Sequence, residues 1–395
     1  MSWANFLTNS DTEFHATRCQ TQSIKESSII AFSTVPVPTI RRKSTSTTDD
    51  DTYKKKKDRT TATDDQNEKR QEEQSNIIVC GTSDGMIRVY QLSKSLKPKS
   101  RRPLLQFKAH KGPIYCLKWS PQPNQLLLIT GADEELKIWD WDTIEAQIPT
   151  STTIQPLTVV VEHQSQYQCD VQLGSRQISM PRSEINSLLC VDNSLFAGGG
   201  DGCIYQWDIQ TEQLSQKFRD PDQKKNVYVM TLNRTSTYLL SGHSDGSLKF
   251  WDVKTGQVIK TMYPLSEDGT QKEDDRTWIS RIAIDQSESW MVVGGGACYA
   301  TLWYVPQMTL SAVMPTSAVI NDICFTNDEI VIVGNESNVY FYNRGGKYRA
   351  HVKTGIVALF SVERIEDLST DAVVVSGIGS QIDIVVHDKT ISLQF

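Results

Sequence analysis

The chain has 395 residues, of which 38% are hydrophobic and 22% are charged, so it contains enough apolar material for a core and is not disordered throughout. Lysine plus arginine number 41 and aspartate plus glutamate number 47, and the net charge of −6 disfavours a protein that coats nucleic acid. No apolar run reaches the length of about 20 residues that a membrane span requires, and the N-terminus shows no secretory signal, so no membrane partner is expected.

The N-terminal part of the chain is predicted to contain one strand and one loop. Residues 1–27 are predicted to form an N-terminal extension, and the apolar run Ser28–Ser33 is predicted to be the first strand. Residues 41–75 contain ten basic and nine acidic residues, one aromatic residue, and no Leu, Ile, Val or Met. Such a segment buries too little apolar surface to offset its chain entropy, so it is predicted to be a disordered, charged loop.

Within this loop, the basic run Lys54–Arg59 follows the shorter basic run Arg41–Lys43. Two basic runs separated in this way are typical of a two-part nuclear-localisation signal. The alternative is a solvated run of charges in a loop.

The remainder of the chain is built from a repeated pattern. A glycine is followed eight or nine residues later by an aromatic or large apolar residue, and this occurs seven times. The closing residues are Tyr90, Trp139, Trp207, Trp251, Trp303, Tyr342 and Val386. Their spacing brackets the repeat of about 40–45 residues that is typical of propeller blades, with one long insertion between the second and third copies.

Each copy is predicted to be a β-hairpin flanked by two further strands. The glycine ends an apolar strand, a short turn follows, and apolar and polar residues then alternate, as in Leu248–Trp251. Apolar runs precede each hairpin, for example Ile279–Ile284 and Ile356–Val362, and more polar runs follow it. Four strands per copy predict an all-β, seven-bladed β-propeller over residues 28–395, interrupted in its first blade by the 41–75 loop. We expect the ring to close by packing of blade 1 on blade 7, with Ile391–Phe395 as the last outer strand.

No residue pattern is typical of a catalytic, cofactor or metal site. The glycine runs 198–200 and 294–296 lead into hairpins rather than helices, so neither offers a helix N-terminus to a phosphate group. None of the eight cysteines is spaced as Cys-x-x-Cys, and none of the six histidines has a neighbour at metal-ligand spacing. We therefore predict a protein that is not an enzyme, with no cofactor, no metal and no small-molecule substrate.

The unit that runs from Phe107 to Asp140 resembles a WD40 repeat. In that family a loop histidine, a strand Ser or Thr, a turn Asp and a Trp form a buried hydrogen-bonded tetrad. The resemblance implies a structural tetrad of His110, Thr130, Asp133 and Trp139 in the second copy, and of Ser241, Asp245 and Trp251 in the fourth. The fifth and seventh copies carry Ala297 and Ser380 at the position of the aspartate, so no tetrad is expected there.

Four residues near predicted strand starts are candidates for a partner-binding face. They are Tyr115, Tyr228, Trp278 and Arg281, and these residue types dominate the energetics of protein interfaces. The alternative for each is packing between blades.

Residues 251–254 read Trp-Asp-Val-Lys. Some propellers carry Trp-Asp-x-Arg at this place and dock onto the adaptor of a cullin-type ubiquitin ligase. Lys254 is not equivalent to arginine at a bidentate contact. A substrate receptor of such a ligase, or another WD40 protein-interaction scaffold, is the alternative function.

Several stretches go beyond the generic repeat: Phe107–Tyr115, Pro181–Leu189, Leu195–Asp201, Arg276–Ala283, Ser289–Gly296 and Ile391–Phe395. Together they resemble the family of THO complex subunit 6, a WD40 propeller of the TREX machinery. The resemblance implies a non-catalytic scaffold in the nucleus, including nuclear speckles, that supports complex assembly, mRNA processing and splicing, and mRNA export. It implies other THO subunits as partners, especially the coiled-coil subunits 5 and 7, and only indirect contact with mRNA.

Overall fold

The computed structural model describes residues 29–34, 76–92, 103–122, 125–133, 135–141, 143–144, 161–164, 169–173, 176–180, 184–211, 213–222, 229–235, 237–266, 278–365, 372–379, 381–386 and 389–394. The predicted N-terminal extension (1–27) and the predicted disordered loop (41–75) lie outside these residues, so both remain predictions. Within the described ranges, no helix is long and apolar enough to cross a membrane.

The strands of the first three blades follow the chain in order. Blade 1 contains β1 (Ile29–Thr34), β2 (Asn76–Thr82), β3 (Met86–Leu92) and β4 (Leu105–Lys108). Blade 2 contains β5 (Ile114–Gln122), β6 (Gln125–Ala132), β7 (Glu135–Asp140) and β8 (Val161–Gln164). A separate hairpin follows, formed by β9 (Cys169–Leu173) and β10 (Arg176–Met180). Blade 3 contains β11 (Ile185–Val191), β12 (Ser194–Gly199), β13 (Ile204–Asp208) and β14 (Leu214–Phe218).

The remaining four blades are built in the same way. Blade 4 contains β15 (Val229–Arg234), β16 (Leu239–His243), β17 (Leu248–Trp251) and β18 (Val258–Met262). Blade 5 contains β19 (Ile279–Ile284), β20 (Trp290–Gly295), β21 (Tyr299–Tyr304) and β22 (Thr309–Pro315). Blade 6 contains β23 (Ile320–Phe325), β24 (Glu329–Gly334), β25 (Asn338–Asn343) and β26 (Tyr348–Lys353). Blade 7 contains β27 (Leu359–Arg364), β28 (Ala372–Gly377), β29 (Gln381–Val386) and β30 (Lys389–Gln394).

The seven four-stranded antiparallel sheets form a β-propeller, which confirms the predicted fold class. The first strand of each blade is innermost and contacts the first strands of both neighbouring blades, and β27 contacts β1 to complete the ring. Every blade uses four consecutive strands, so the ring closes by packing, as predicted. A buried apolar cluster at this closure joins Ile78, Cys80 and Tyr90 of blade 1 to Ala372, Val374 and Ile382 of blade 7.

The chain departs from the regular blade repeat at two places, and both are where the sequence predicts an insertion. Residues 35–75 connect β1 to β2, which are paired neighbours in blade 1, so the charged insertion interrupts that blade. The hairpin β9–β10 lies between blades 2 and 3, where the repeat spacing was longest. The bounds of three strands differ from prediction: β1 is Ile29–Thr34 and not Ser28–Ser33, β30 begins at Lys389 and not at Ile391, and β27 begins at Leu359 and not at Ile356. Thr354 Oγ1 accepts from the backbone N–H of Ile356, which holds this segment in a turn.

The seven inner strands are structurally equivalent position by position. A register shift occurs between the first and third residues of each of them. We call the side of the ring where these strands begin the strand-start face, and the side where they finish the strand-end face. Close approach of backbone to backbone is visible at Gly295, where an added Cβ would lie 1.8 Å from the carbonyl oxygen of Trp278.

Candidate functional site

A buried polar network joins the loop before blade 2 to the central strands of that blade. His110 Nε2 lies 2.6 Å from Thr130 Oγ1, and His110 Nδ1 lies 3.0 Å from Glu135 Oε2. Trp139 Nε1 donates to Thr130 Oγ1 at 3.0 Å. The threonine oxygen accepts from the indole and donates its own proton to His110 Nε2, so the imidazole carries its proton on Nδ1 and donates it to Glu135. The structure thus brings together three of the four predicted residues.

Asp133, the acid predicted for this network, lies outside it. Its Oδ1 accepts a hydrogen bond from the Tyr115 hydroxyl at 2.9 Å, and its backbone forms a bridge to Glu184. The strand period of two explains why Glu135 replaces it, because Glu135, Lys137 and Trp139 alternate along β7 and share one face. That alternation is the sequence signal that could have identified Glu135.

The charges in the blade 2 network are paired and buried. Lys137 Nζ lies 3.1 Å from Glu135 Oε2 and donates to the carbonyl oxygen of Ala109 at 2.9 Å. Burial lowers the pKa of His110 to about 4, so the imidazole is neutral near pH 7. Burial by itself raises the pKa of Glu135, but hydrogen bonds from Lys137 and His110 lower it overall. The network holds a loop in place and offers no accessible acid or base.

Blade 4 contains a shorter version of the same network. Trp251 Nε1 donates to Ser241 Oγ at 2.7 Å, and Ser241 Oγ lies 2.7 Å from His243 Nε2. Asp245, the acid predicted here, instead accepts from the backbone N–H and hydroxyl of Ser247, because it caps the turn that contains Gly246. His243 is fully buried, and burial lowers its pKa well below the ordinary value. The sequence prediction missed His243, which follows Ser241 by two residues and so lies on the same face of β16.

Hydrogen bonds between inner strands lock neighbouring blades together from blade 2 to blade 7. Each joins a side chain of one strand to the backbone of the next strand in the ring. They are Cys116 Sγ to Ile185 O (3.3 Å), Leu232 N to Ser187 Oγ (2.9 Å), Asn233 Nδ2 to Ile282 O (2.8 Å), Ser280 Oγ to Ile320 O (2.7 Å), Asn321 Nδ2 to Leu359 O (2.7 Å) and Val362 N to Asp322 Oδ2 (2.9 Å). These bonds make the centre of the ring a fixed frame on which loops are displayed.

The four residues predicted for a partner-binding face do not form one cluster. Tyr115 lies at the start of β5 in blade 2, half-buried and bonded to Asp133. Trp278 immediately precedes β19 in blade 5 and is only 9% exposed. Arg281 lies in β19, where its Nε is 2.8 Å from Asp322 Oδ1 of blade 6. Tyr228 lies outside the described residues.

The cysteines and acidic residues of the described chain do not assemble a reactive or metal-binding centre. No group of three or more His, Cys, Asp or Glu side chains in those ranges could hold a metal ion. Burial raises the pKa of the Cys190 thiol to about 12 and raises the pKa values of Cys80, Cys116 and Cys324 further. These thiols therefore remain protonated and pack as small apolar groups.

Comparison with known proteins places this geometry among propeller proteins. Residues 38–194 match the family model of the IP5P C-F beta-propeller, and residues 213–252 match that of the WD domain, G-beta repeat. The chain is 26% identical to THO complex subunit 6 of Arabidopsis thaliana, over 70% of this chain and 72% of the relative. It is 26% identical to THO complex subunit 6 of Homo sapiens over 72% of this chain and 78% of the relative. It is 24% identical to the Danio rerio homologue over 80% of this chain and 93% of the relative. The resemblance that the sequence predicted is confirmed.

Proposed function

We propose that this chain is a non-catalytic scaffold subunit of a THO complex within TREX, and that it supports complex assembly, mRNA processing and nuclear mRNA export. The observation that carries this proposal is similarity to THO complex subunit 6 of both a plant and vertebrates, over 70–80% of the chain. That span includes most of the propeller, so the similarity does not come from a single repeat.

The architecture of the ring suits a scaffold. Six blades are linked by hydrogen bonds between their inner strands, and blade 1 joins blade 7 through a buried apolar cluster. A partner that docks on strand-connecting loops therefore meets a surface that is ordered before binding, which lowers the entropic cost of association. We propose the coiled-coil subunits 5 and 7 of THO as these partners.

Of the three predicted interface residues that the structure describes, Tyr115 and Arg281 are the more accessible. Both are half-buried, whereas Trp278 is only 9% exposed. We expect mRNA to be contacted only indirectly, in keeping with the net charge of −6. We propose a nuclear location, including nuclear speckles, with Lys54–Arg59 as a candidate import signal outside the described residues.

Affinity purification tests the proposal. The tagged full-length chain is recovered from RNase-treated nuclear extract and its partners are identified by mass spectrometry. We expect the other THO subunits, with subunits 5 and 7 reduced by Tyr115→Ala and unchanged by Tyr238→Ala. Tyr238 is the matched control because it is an exposed tyrosine in a different blade, just before β16 of blade 4.

Two results would contradict the proposal. Recovery of a cullin-type ligase adaptor without THO subunits, lost on Lys254→Glu, would favour the ligase receptor. Lys254 is exposed and its backbone N–H donates to Asp252, so this substitution leaves the turn intact. Loss of all THO subunits after RNase treatment would show that the association runs through RNA and not through a protein scaffold.

A further inference from the structure

A cavity of about 220 Å³ lies where the inner strands of blades 4 to 7 meet. Its wall contains Asn233 of β15, Ile284 of β19, Phe325 of β23 and Arg364 of β27. Because one residue comes from each of four successive inner strands, the cavity lies at the central axis of the ring. Ile284, Phe325 and Arg364 are the last residues of their strands, so the cavity belongs to the strand-end face. We call it the strand-end cavity.

The charged side chains in the wall of the strand-end cavity are all cationic. Its wall contains Arg281, Arg344 and Arg364 and no aspartate or glutamate. The whole chain carries a net charge of −6, so three arginines around one small cavity are a local concentration of positive side chains. A cavity of this kind attracts anionic groups and strengthens its contacts with them through partial desolvation.

The position of Arg281 in the ring is unusual for a long charged side chain. The third residues of the seven inner strands are equivalent, since each follows the shared register shift. The other six are Ala31, Cys116, Ser187, Thr231, Asp322 and Ser361. Five of these are small, and the sixth, Asp322, pairs with Arg281. The arginine therefore does not follow from the requirements of the blade repeat.

Two of the arginines are held in fixed orientations and remain accessible. Arg281 Nε lies 2.8 Å from Asp322 Oδ1, a charge contact whose angle does not make it a hydrogen bond, and the arginine side chain is 32% exposed. Arg344 donates from Nη2 to the carbonyl oxygen of Thr326 at 2.6 Å and from Nε to that of Asn327 at 3.1 Å. Its guanidinium lies 4.9 Å from the centre of the Phe325 ring, and its side chain is 36% exposed. Guanidinium groups held in this way lose little side-chain entropy when they bind an anion.

Two carboxylates near the cavity contact the arginines but do not line it. Asp322 is 6% exposed and also accepts from the backbone N–H of Val362 at 2.9 Å and the Ser361 hydroxyl at 3.2 Å. Asp285 Oδ2 is 3.9 Å from Arg344 Nη1. Neither carboxylate belongs to the cavity wall. They fix the guanidinium groups while the arginines form the lining.

We propose that the strand-end cavity binds an acidic peptide segment of a partner protein. Aspartate or glutamate side chains of the peptide would pair with Arg281, Arg344 and Arg364, and a neighbouring apolar side chain would pack on the partly exposed Ile284 and Phe325. A peptide fits better than RNA, because the cavity accommodates a few side chains, whereas RNA affinity depends on phosphate contacts along an extended basic track. This binding site goes beyond the scaffold role and does not depend on which complex contains the chain.

Fluorescence anisotropy with the full-length chain tests this site. The probe is a short rhodamine-labelled peptide in which four glutamates flank one leucine, and the control probe has glutamine in place of each glutamate. We expect the acidic peptide to bind, the glutamine peptide to bind at least about tenfold more weakly, and added salt to weaken the acidic peptide.

Matched variants assign the binding to the cavity. Arg344→Gln is expected to weaken the acidic peptide about tenfold or more, because it removes a charge-assisted contact. Arg349→Gln is the control: it removes the same charge from an exposed arginine of β26 that pairs with Glu329 at 2.8 Å. Arg281→Gln alone would leave Asp322 buried without its counter-charge, so Arg281 is tested in the double variant Arg281→Gln/Asp322→Asn, with circular dichroism as the check on folding.

Three results would overturn the proposal. The first is equal binding of the glutamate and glutamine peptides. The second is a loss on Arg344→Gln that does not exceed the loss on Arg349→Gln. The third is displacement of the peptide by inorganic phosphate, or by a single-stranded RNA, at concentrations as low as those of unlabelled peptide, which would assign the cavity to a free anion or to nucleic acid.

Discussion

The hydroxyl of Thr130 is the single atom on which the blade 2 network depends, so Thr130→Val is its sharpest perturbation. Valine keeps the shape of threonine and the β-strand propensity, but it neither accepts nor donates a hydrogen bond. Trp139 Nε1–H loses its acceptor and His110 Nε2 loses its donor. Both side chains are at most 2% exposed, so water does not replace the lost partner. An unsatisfied buried group costs about 1–3 kcal/mol, and two of them predict a loss of about 2–6 kcal/mol in the free energy of unfolding.

Urea denaturation followed by far-UV circular dichroism measures this loss as a shift of the midpoint at constant slope. Thr309→Val is the matched control, since Thr309 is exposed on the outer strand β22 and the same substitution there is expected to change stability by less than about 0.5 kcal/mol. A loss below about 1 kcal/mol for Thr130→Val would refute the reasoning, because it would mean that the histidine and tryptophan are not held through this hydroxyl.

Three further predictions concern the effect on stability of pH, of a side chain added where two backbone segments are in close contact, and of a side chain removed from the core. Burial lowers the pKa of His110 to about 4 from 6.5, so the unfolded chain binds more protons between these values. Stability should therefore fall by about 2 kcal/mol or more from pH 7 to pH 5 in urea titrations, because the pKa of buried His243 is lowered as well and its contribution adds to that of His110. An equal stability at both pH values would contradict buried neutral imidazoles. Gly295→Ala places a Cβ 1.8 Å from Trp278 O and should lower the free energy of unfolding by about 3 kcal/mol or more in urea denaturation. In the control Gly345→Ala, the added Cβ meets only Asn343 Oδ1 at 3.5 Å, and the free energy of unfolding should be nearly unchanged. Trp251→Ala removes a fully buried side chain and should cost about 3–5 kcal/mol in the same urea assay, and a loss below about 1 kcal/mol would argue against its core position.

The fold could be predicted because each blade contains its own local signal. A glycine, a tight turn and alternating residues recur within a dozen residues, and strand pairing between chain neighbours follows from them. The way the ring closes could also be predicted, because the first and last apolar runs complete four strands in blades 1 and 7. The start of β27 could not be predicted, because a turn precedes it. The turn is stabilised by hydrogen bonds from Ile356 N–H to Thr354 Oγ1 and from Gly355 N–H to Asp383 Oδ2, which no local sequence pattern shows.

The buried networks could be predicted only in part. His110, Thr130 and Trp139 occupy the positions that the repeat pattern assigns, but the acid depends on which of three consecutive carboxylates faces inward. The family pattern favours the turn position, Asp133, whereas the strand period favours Glu135. In this chain Tyr115 supplies a hydrogen bond to Asp133 at the turn, which leaves Glu135 to meet both His110 and Lys137.

The strand-end cavity could not be predicted, because its residues are brought together by the closed ring and not by any one blade. Arg281, Arg344 and Arg364 are separated by whole strands, and the sequence predicts Arg281 at a partner-binding face without these neighbours. Their common location follows only when inner strands from four blades meet at the axis.

Asp322 takes part both in the hydrogen bonds between inner strands and in the proposed binding site. One of its oxygens accepts from the backbone of Val362 and so ties blade 6 to blade 7, while the other fixes Arg281 of blade 5. A carboxylate this deeply buried is costly unless its charge is balanced, so Arg281 balances the charge of Asp322 at the same time as it lines the cavity. An anion that binds Arg281 competes with Asp322 for the same guanidinium, which would favour ligands that engage its terminal nitrogens and leave Nε to the aspartate.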